Sequence, residues 1–317
     1  MAEKHERRAL ITGGSGFVGF HLFNRLAAEG WDLTILDLGD APEFLGSKGR
    51  FIRGDMTSEE SLLKAVTLAR PDVVYHLAGI AFVPAAEKDK QKALAVNVQG
   101  GLNLFEAVRR EAPKARVIVI SSSEVYGKAG AEQMPLSENA PVRPANFYAF
   151  TKASLENATM YERAMGLQTV VLRPFNHIGP RQSDQFVTSA FARQVAQIEA
   201  GRIPAVIRVG NLDAIRDFTD VEDMVRAYQL AGEHDLEHRV YNLCSGSGVA
   251  IKEILNAFLD MSEKEIHVET DPDRLRPSDV PVLVGDARRF AKATGWRPAV
   301  SLTESLQRIL DYWRSHV

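Results

Sequence analysis

Along the first half of the chain, short unbroken apolar runs alternate with longer stretches whose apolar residues recur every three or four positions. The runs Ala9–Thr12, Asp32–Leu36, Phe51–Ile52, Val73–Leu77, Ala115–Ile120 and Thr169–Arg173 have strand length. Runs that do not alternate with polar residues mark strands buried on both faces, as in a parallel sheet. Between them lie helical patterns: Leu22, Leu26 and Ala27; Leu62 and Leu63 behind a Ser58 cap; and one long helix from about Glu87 to Arg110 carrying Leu94, Val98, Leu102, Leu104 and Val108. Six strands alternating with helical crossovers predict an α/β fold with a doubly wound parallel sheet.

Past Gly166 the pattern is less regular. An acid-capped helix is expected over Asp220–Ala231, a buried strand over Val240–Leu243, and a helix over Ile251–Leu259 after the turn Cys244–Gly248. Gly295-Trp-Arg-Pro298 reads as a helix stop, and Leu302, Leu306, Ile309, Leu310 and Trp313 as a closing amphipathic helix. The division expected is a nucleotide-binding domain over 1–166, with contributions from segments such as 168–178 and 213–245. A smaller, discontinuous C-terminal α/β lobe takes mainly 179–317.

The first strand runs into Gly13-Gly-Ser-Gly16-Phe-Val-Gly19 and then a helix, the context that gives a glycine motif its meaning. Gly13 permits a tight turn, Gly16 lets backbone approach a pyrophosphate, and Gly19 lets helix and strand pack closely. The free N–H groups of the helix start, at Phe17 and Val18, face the anion. Asp37 ends the second strand, eighteen residues past Gly19, near the spacing of about 20 expected of the acid that binds a ribose 2′-hydroxyl. It would repel a 2′-phosphate, and no arginine stands beside it in the sequence. The expected cofactor is therefore NAD, with NADH preferred over NADPH. Asp55 and Met56 after the third strand, and Leu77, Ala78 and Gly79 after the fourth, are expected to line the same site. His76 within its apolar strand, and Asn97 on the long helix, are expected to be structural.

Composition narrows the partners. Hydrophobic residues make up 45% and charged residues 25%, with a formal net charge of −3, which gives no electrostatic reason to expect nucleic acid or a membrane surface. The single cysteine, Cys244, leaves no intrachain disulfide and no cysteine-based metal site, and it is expected to be a small buried hydrophobe. No metal site is expected. Met1–Arg8 is charged and lacks the apolar segment of a secretory signal, and the most apolar stretch, Val73–Ala86, is too short to span a bilayer. A cytoplasmic protein is expected.

The chemistry concentrates at Tyr148-Ala-Phe-Thr-Lys152 and Ser121-Ser-Ser-Glu-Val-Tyr-Gly127. A tyrosine and a lysine four residues apart share a helix face, and the ammonium is expected to lower the phenol's pKa. With the glycine turn, the strand-end serines and this pair in order, the chain resembles the extended short-chain dehydrogenases/reductases over nearly its whole length. These nucleotide-sugar epimerases, dehydratases and reductases have a Rossmann fold. The resemblance implies that Ser122 holds a sugar carbonyl, Tyr148 exchanges a proton with its oxygen, and Lys152 holds the nicotinamide ribose, with Ser123 at the substrate.

It further implies that Asn176, in Arg173-Pro-Phe-Asn-His-Ile-Gly-Pro180, binds a sugar diphosphate and that Val187 touches a guanine. Arg216, in Gly210-Asn-Leu-Asp-Ala-Ile-Arg-Asp217, and Arg276, in Arg274-Leu-Arg-Pro-Ser-Asp279, become diphosphate ligands, with Asp279 at the nucleoside. These strings are similar to those of enzymes on GDP-linked sugars. They point to a reductase of GDP-4-keto-6-deoxy-D-mannose, giving GDP-D-rhamnose. Glu124 matches instead the base of the 4,6-dehydratases, so a GDP-mannose 4,6-dehydratase or another nucleotide-sugar epimerase/dehydratase is the alternative. A non-catalytic NAD-binding scaffold is the third reading. The family implies a homodimer.

Overall fold

The computed structural model describes residues 7–272 and 280–317. In chain order the first half gives β1 (Arg8–Thr12), α1 (Phe17–Ala28), β2 (Asp32–Asp37), β3 (Arg50–Arg53), α2 (Glu59–Ala69), β4 (Val73–His76), α3 (Val83–Lys88), α4 (Lys90–Leu94), α5 (Gly100–Glu111), β5 (Arg116–Ile120), α6 (Phe147–Ala164) and β6 (Gln168–Pro174). The second half gives β7 (Asn176–Ile178), α7 (Val187–Glu199), β8 (Val206–Val209), β9 (Ile215–Asp220), α8 (Val221–Glu233), β10 (Val240–Leu243), β11 (Gly248–Ala250), α9 (Ile251–Asp260), β12 (His267–Thr270), β13 (Val282–Leu283), α10 (Arg288–Thr294) and α11 (Leu302–Arg314).

The main sheet has seven strands in the order β10-β6-β5-β4-β1-β2-β3, every pairing parallel. The alternation of the first half supplies six of these strands, and β10 extends the sheet by pairing with β6. One face is covered by Leu22, Phe23 and Leu26 of α1 with Met224, Val225 and Tyr228 of α8. The other is covered by Leu62 and Val66 of α2, Leu104, Phe105 and Val108 of α5, and Leu155 of α6. Chain order reverses direction at β1, which lies between β2 and β4, so the crevice at the carboxyl ends of β1 and β4 is the place where such sheets take ligands. A third core packs α7, α9 and α11 together through Phe191, Val195, Ile254, Phe258, Ile309 and Leu310. A four-stranded sheet of β7, β9, β11 and β13 connects this core to the crevice.

The long helix expected over Glu87–Arg110 is corrected. Helical structure begins at Val83 with Pro84 in its first turn, breaks at Asp89, and restarts as α4 with the Asp89 carboxylate accepting from Lys92 N at 3.0 Å. It then runs through a π-helical turn, Ala95–Gln99, into α5. That turn brings in buried Asn97, whose amide bonds both backbone groups of Ile80 (2.7 and 3.1 Å) and the Thr151 hydroxyl (2.9 Å). Asn97 thus ties the chain after β4 to the helix bearing Tyr148, the structural role expected of it. His76 is structural as well. Its Nδ1 lies 2.8 Å from Thr12 Oγ1, and burial pushes its pKa down to about 3, so the ring is neutral. Cys244 is buried, as expected. Among the described residues, no helix is long and apolar enough to cross a membrane.

Candidate active site

A cavity of about 1220 Å³ runs from the glycine turn, across the ends of the central strands, to β8 and β9. Gly13, Gly16, Phe17, Val18, Gly19, Asp37, Asp55, Met56, Leu77, Ala78 and Gly79 line one end. Ser122, Ser123, Glu124, Tyr148 and Lys152 form its middle. Asn176, Val187 and Arg216 line the other end. Arg276 and Asp279 lie outside the described residues.

At the first end, Gly13 has φ +69°, and a Cβ there would stand 2.7 Å from Ala78 Cα. The turn therefore packs directly on the chain leaving β4. Helix α1 has no side-chain cap and no acid in its first turn, so its N–H groups stay available to an anion. The Ser15 hydroxyl is buried with no partner among the described residues. An unpaired buried hydroxyl beside an open helix N-terminus fits a dinucleotide pyrophosphate. The Asp37 carboxylate accepts from Ser15 N (3.0 Å) and Leu38 N (2.8 Å), which aims it along the same wall. One expectation is corrected here. Parallel register sets Arg53 of β3 opposite Asp37, so an arginine does stand beside it in space. Its guanidinium reaches Asp40 at 3.5 Å. Asp55 folds into a local turn, accepting from Thr57 N and Oγ1 at 2.8 Å each.

In the middle, Asn146 caps α6, its Oδ1 accepting from Ala149 N at 2.8 Å while its Nδ2 donates to Glu124 Oε2 at 3.0 Å. One side chain thereby fixes both the start of the helix carrying Tyr148 and Lys152 and the carboxylate next to them. Its position just before Phe147-Tyr148, as a capping residue ahead of a helix, was the signal for it in the sequence.

The expected effect of Lys152 on Tyr148 is corrected too. Burial pushes the phenol's pKa up to about 12. A hydrogen bond with Ser122 works against this rise, and the charge of Glu124 adds to it. Lys152 Nζ is 5.9 Å from the tyrosine ring centre and donates instead to the carbonyl of Ile120 at 2.8 Å. Burial lowers its own pKa to about 8, with Glu156 opposing. The shared helix face brings the pair together, but the strand-end carbonyl takes the ammonium's hydrogen bond.

At the other end, Arg216 Nη1 donates to Ile215 O at 2.9 Å. Lys92 of α4 and Arg208 of β8 also line the cavity, as do Phe82 and Phe186, whose rings meet edge to face at 6.0 Å. None of these four was singled out from the sequence, because each is an ordinary surface residue of its own element until the lobe folds against the sheet.

Comparison with known proteins agrees with this geometry. A family profile described as GDP-mannose 4,6 dehydratase matches residues 10–309. A protein of Pseudomonas aeruginosa named GDP-6-deoxy-D-mannose reductase is 35% identical over 312 residues, covering 98% of each chain. The solved structure of RMD from Pseudomonas aeruginosa complexed with NADPH superposes with a TM-score of 0.87 at 34% identity, covering 98% of this chain and 100% of that one. The Thermus thermophilus UDP-glucose 4-epimerase complex with NAD gives a TM-score of 0.87 at 31% identity, with the same coverage.

Proposed function

The chain belongs to the GDP-mannose 4,6-dehydratase family of the extended short-chain dehydrogenases/reductases, and we propose that within it the chain reduces the C4 ketone of GDP-4-keto-6-deoxy-D-mannose to GDP-D-rhamnose. The observation that carries this reading is the Tyr148 phenol, kept protonated by burial and hydrogen-bonded to Ser122, in a cavity shared by the glycine turn and Arg216. A phenol that is protonated at neutral pH carries the proton that reduction must deliver to the ketone oxygen. When bound, the dinucleotide supplies the hydride for the sugar C4. Ser122 holds the ketone oxygen, and Tyr148 gives it a proton as charge develops there. Lys152 holds the nicotinamide ribose. Asn176 and Arg216 hold the diphosphate, Val187 faces the nucleoside, and Ser123 the sugar. Mixing the protein with GDP-4-keto-6-deoxymannose and a reduced cofactor tests the proposal. Loss of the nicotinamide absorbance is expected, and its absence while other keto-sugars are reduced would sink the assignment.

Glu124 favours a second reading. Its carboxylate stands in the cavity beside Ser122 and Tyr148, fixed by Asn146, where the family's 4,6-dehydratases keep a base. A dehydratase would consume GDP-mannose with no net change in cofactor.

For the cofactor we propose that NADH is preferred, because the Asp37 carboxylate lines the cavity, where it would repel a 2′-phosphate, and Arg53 is drawn toward Asp40. Asp37→Asn is expected to improve kcat/KM for NADPH over NADH by about tenfold, the value of removing roughly 1.4 kcal/mol of repulsion. An unchanged ratio would show that Asp37 does not select the cofactor. We further propose a homodimer formed through α5 and α6, since Phe150 and Tyr161 of α6, and Met165 just past its end, are exposed apolar side chains. Sedimentation equilibrium should then return twice the chain mass, whereas a monomer at micromolar concentration would overturn it. We also infer a cytoplasmic setting, in keeping with the single buried cysteine.

A further inference from the structure

We propose that the buried ion pair Glu156–Arg173 is a positioning device for the catalytic turn, gripping it at both ends through Ser121 and Tyr126. The inference rests on the proposed roles of Ser122 and Tyr148. Ser122, Ser123 and Glu124 lie between two residues, Ser121 and Tyr126, whose hydroxyls join a buried polar network. Ser121 Oγ donates to Glu156 Oε1. Arg173 meets Glu156 with two hydrogen bonds, Nε to Oε1 at 2.9 Å and Nη2 to Oε2 at 2.6 Å. Its remaining arm, Nη1, donates to Tyr126 Oη at 3.0 Å, and the guanidinium carbon lies 4.9 Å from the centre of that ring. Tyr126 Oη in turn donates to Asn242 Oδ1 at 2.6 Å, which ties the far end of the turn to β10. All five side chains are buried.

Between these anchors the turn is also held by Arg143 N on the Val125 carbonyl at 2.9 Å and by Asn146 on the Glu124 carboxylate at 3.0 Å. It is one short 3₁₀ turn, closed by Val125 N to Ser122 O at 3.3 Å and Gly127 N to Glu124 O at 3.0 Å. Glu156 lies one helical turn beyond Lys152 on α6. The helix that carries Tyr148 therefore grips the end of β5 twice, with Lys152 on the Ile120 carbonyl and Glu156 on the Ser121 hydroxyl. The distance from Ser122 to Tyr148 is set by this double grip. A buried ion pair is often no more stabilising than an apolar pair of the same volume, so the service assigned to it here is geometric. A displacement of about 1 Å in such a site costs on the order of 100-fold in rate.

The double variant Ser121→Ala/Tyr126→Phe tests this, because it cuts both tethers and leaves the ion pair whole. Its control is Ser305→Ala, which likewise removes a buried hydroxyl donating to a buried carboxylate, Asp220, at 2.6 Å, but in the lobe. The double variant is expected to lose at least about tenfold in kcat with KM for sugar and cofactor within about twofold. The control should keep the wild-type kcat. Hydrogen exchange of the amides over 122–127 should accelerate at least about tenfold in the double variant only. Unchanged exchange in that turn, or a kcat no lower than that of the control, would overturn the proposal. If the wild-type protein leaves the keto-sugar untouched, the substrate assignment fails, and the exchange measurement still decides whether the network holds the turn.

Discussion

Tyr148→Phe is expected to lower kcat by about 10²–10⁴-fold, the range that general acid catalysis contributes, while the affinity for the dinucleotide stays near wild type. The variant removes one hydroxyl and leaves the ring, which packs among Ala86, Ala93, Ile80 and Val83, so the fold is preserved. What is lost is the phenol hydroxyl placed against Ser122. In their proposed roles Ser122 and Lys152 still bind the ketone and the ribose, and KM should therefore move little. Single-turnover kinetics together with cofactor fluorescence separates the two effects. A variant retaining more than about a tenth of wild-type kcat would remove Tyr148 from the acid role.

The second large effect is on stability. Arg173→Met strands the Glu156 carboxylate in a dry interior with Ser121 as its one remaining partner, and breaking a buried pair from one side costs about 3–5 kcal/mol. The companion change Glu156→Leu in the same chain should recover most of that loss, because the uncompensated charge is gone. Urea denaturation checks both. A single variant that loses less than about 1 kcal/mol would mean that water reaches Glu156 and that the network is looser than its distances imply. The rescued double variant is expected to remain slow, since stability returns and the grip on the turn does not.

These two predictions differ in how far the sequence announced them. Tyr148 and Lys152, the glycines from Gly13 to Gly19, and Asp37 were legible because each works through near neighbours or a fixed spacing along one element. Their gathering into one cavity follows from the parallel sheet, which sets successive strand ends side by side. The network behind the turn was not legible. Ser121 and Glu156 are 35 residues apart and Tyr126 and Arg173 are 47 apart, and nothing in the local pattern of either segment marks them as partners.

The same holds for Arg53, an exposed strand residue in the sequence that parallel register sets opposite Asp37. Lys152 failed in another way. The helical spacing correctly put it near Tyr148, but only the structure shows that the Ile120 carbonyl takes its ammonium. The unbroken helix expected from Glu87 failed because the apolar positions continue through the break. Pro84 and the capping side chain of Asp89 were the marks of it.

In the proposed reaction hydride leaves the cofactor for good and ends on the sugar's C4, with Tyr148 supplying the proton. Its most direct test is NMR of the product formed from GDP-4-keto-6-deoxymannose and NADH deuterated at nicotinamide C4, on the face that transfers. One deuterium at C4 of GDP-D-rhamnose for each cofactor oxidised is the predicted result. Deuterium that stays on the cofactor with the keto-sugar unreduced, or a product unlabelled at C4, would contradict it.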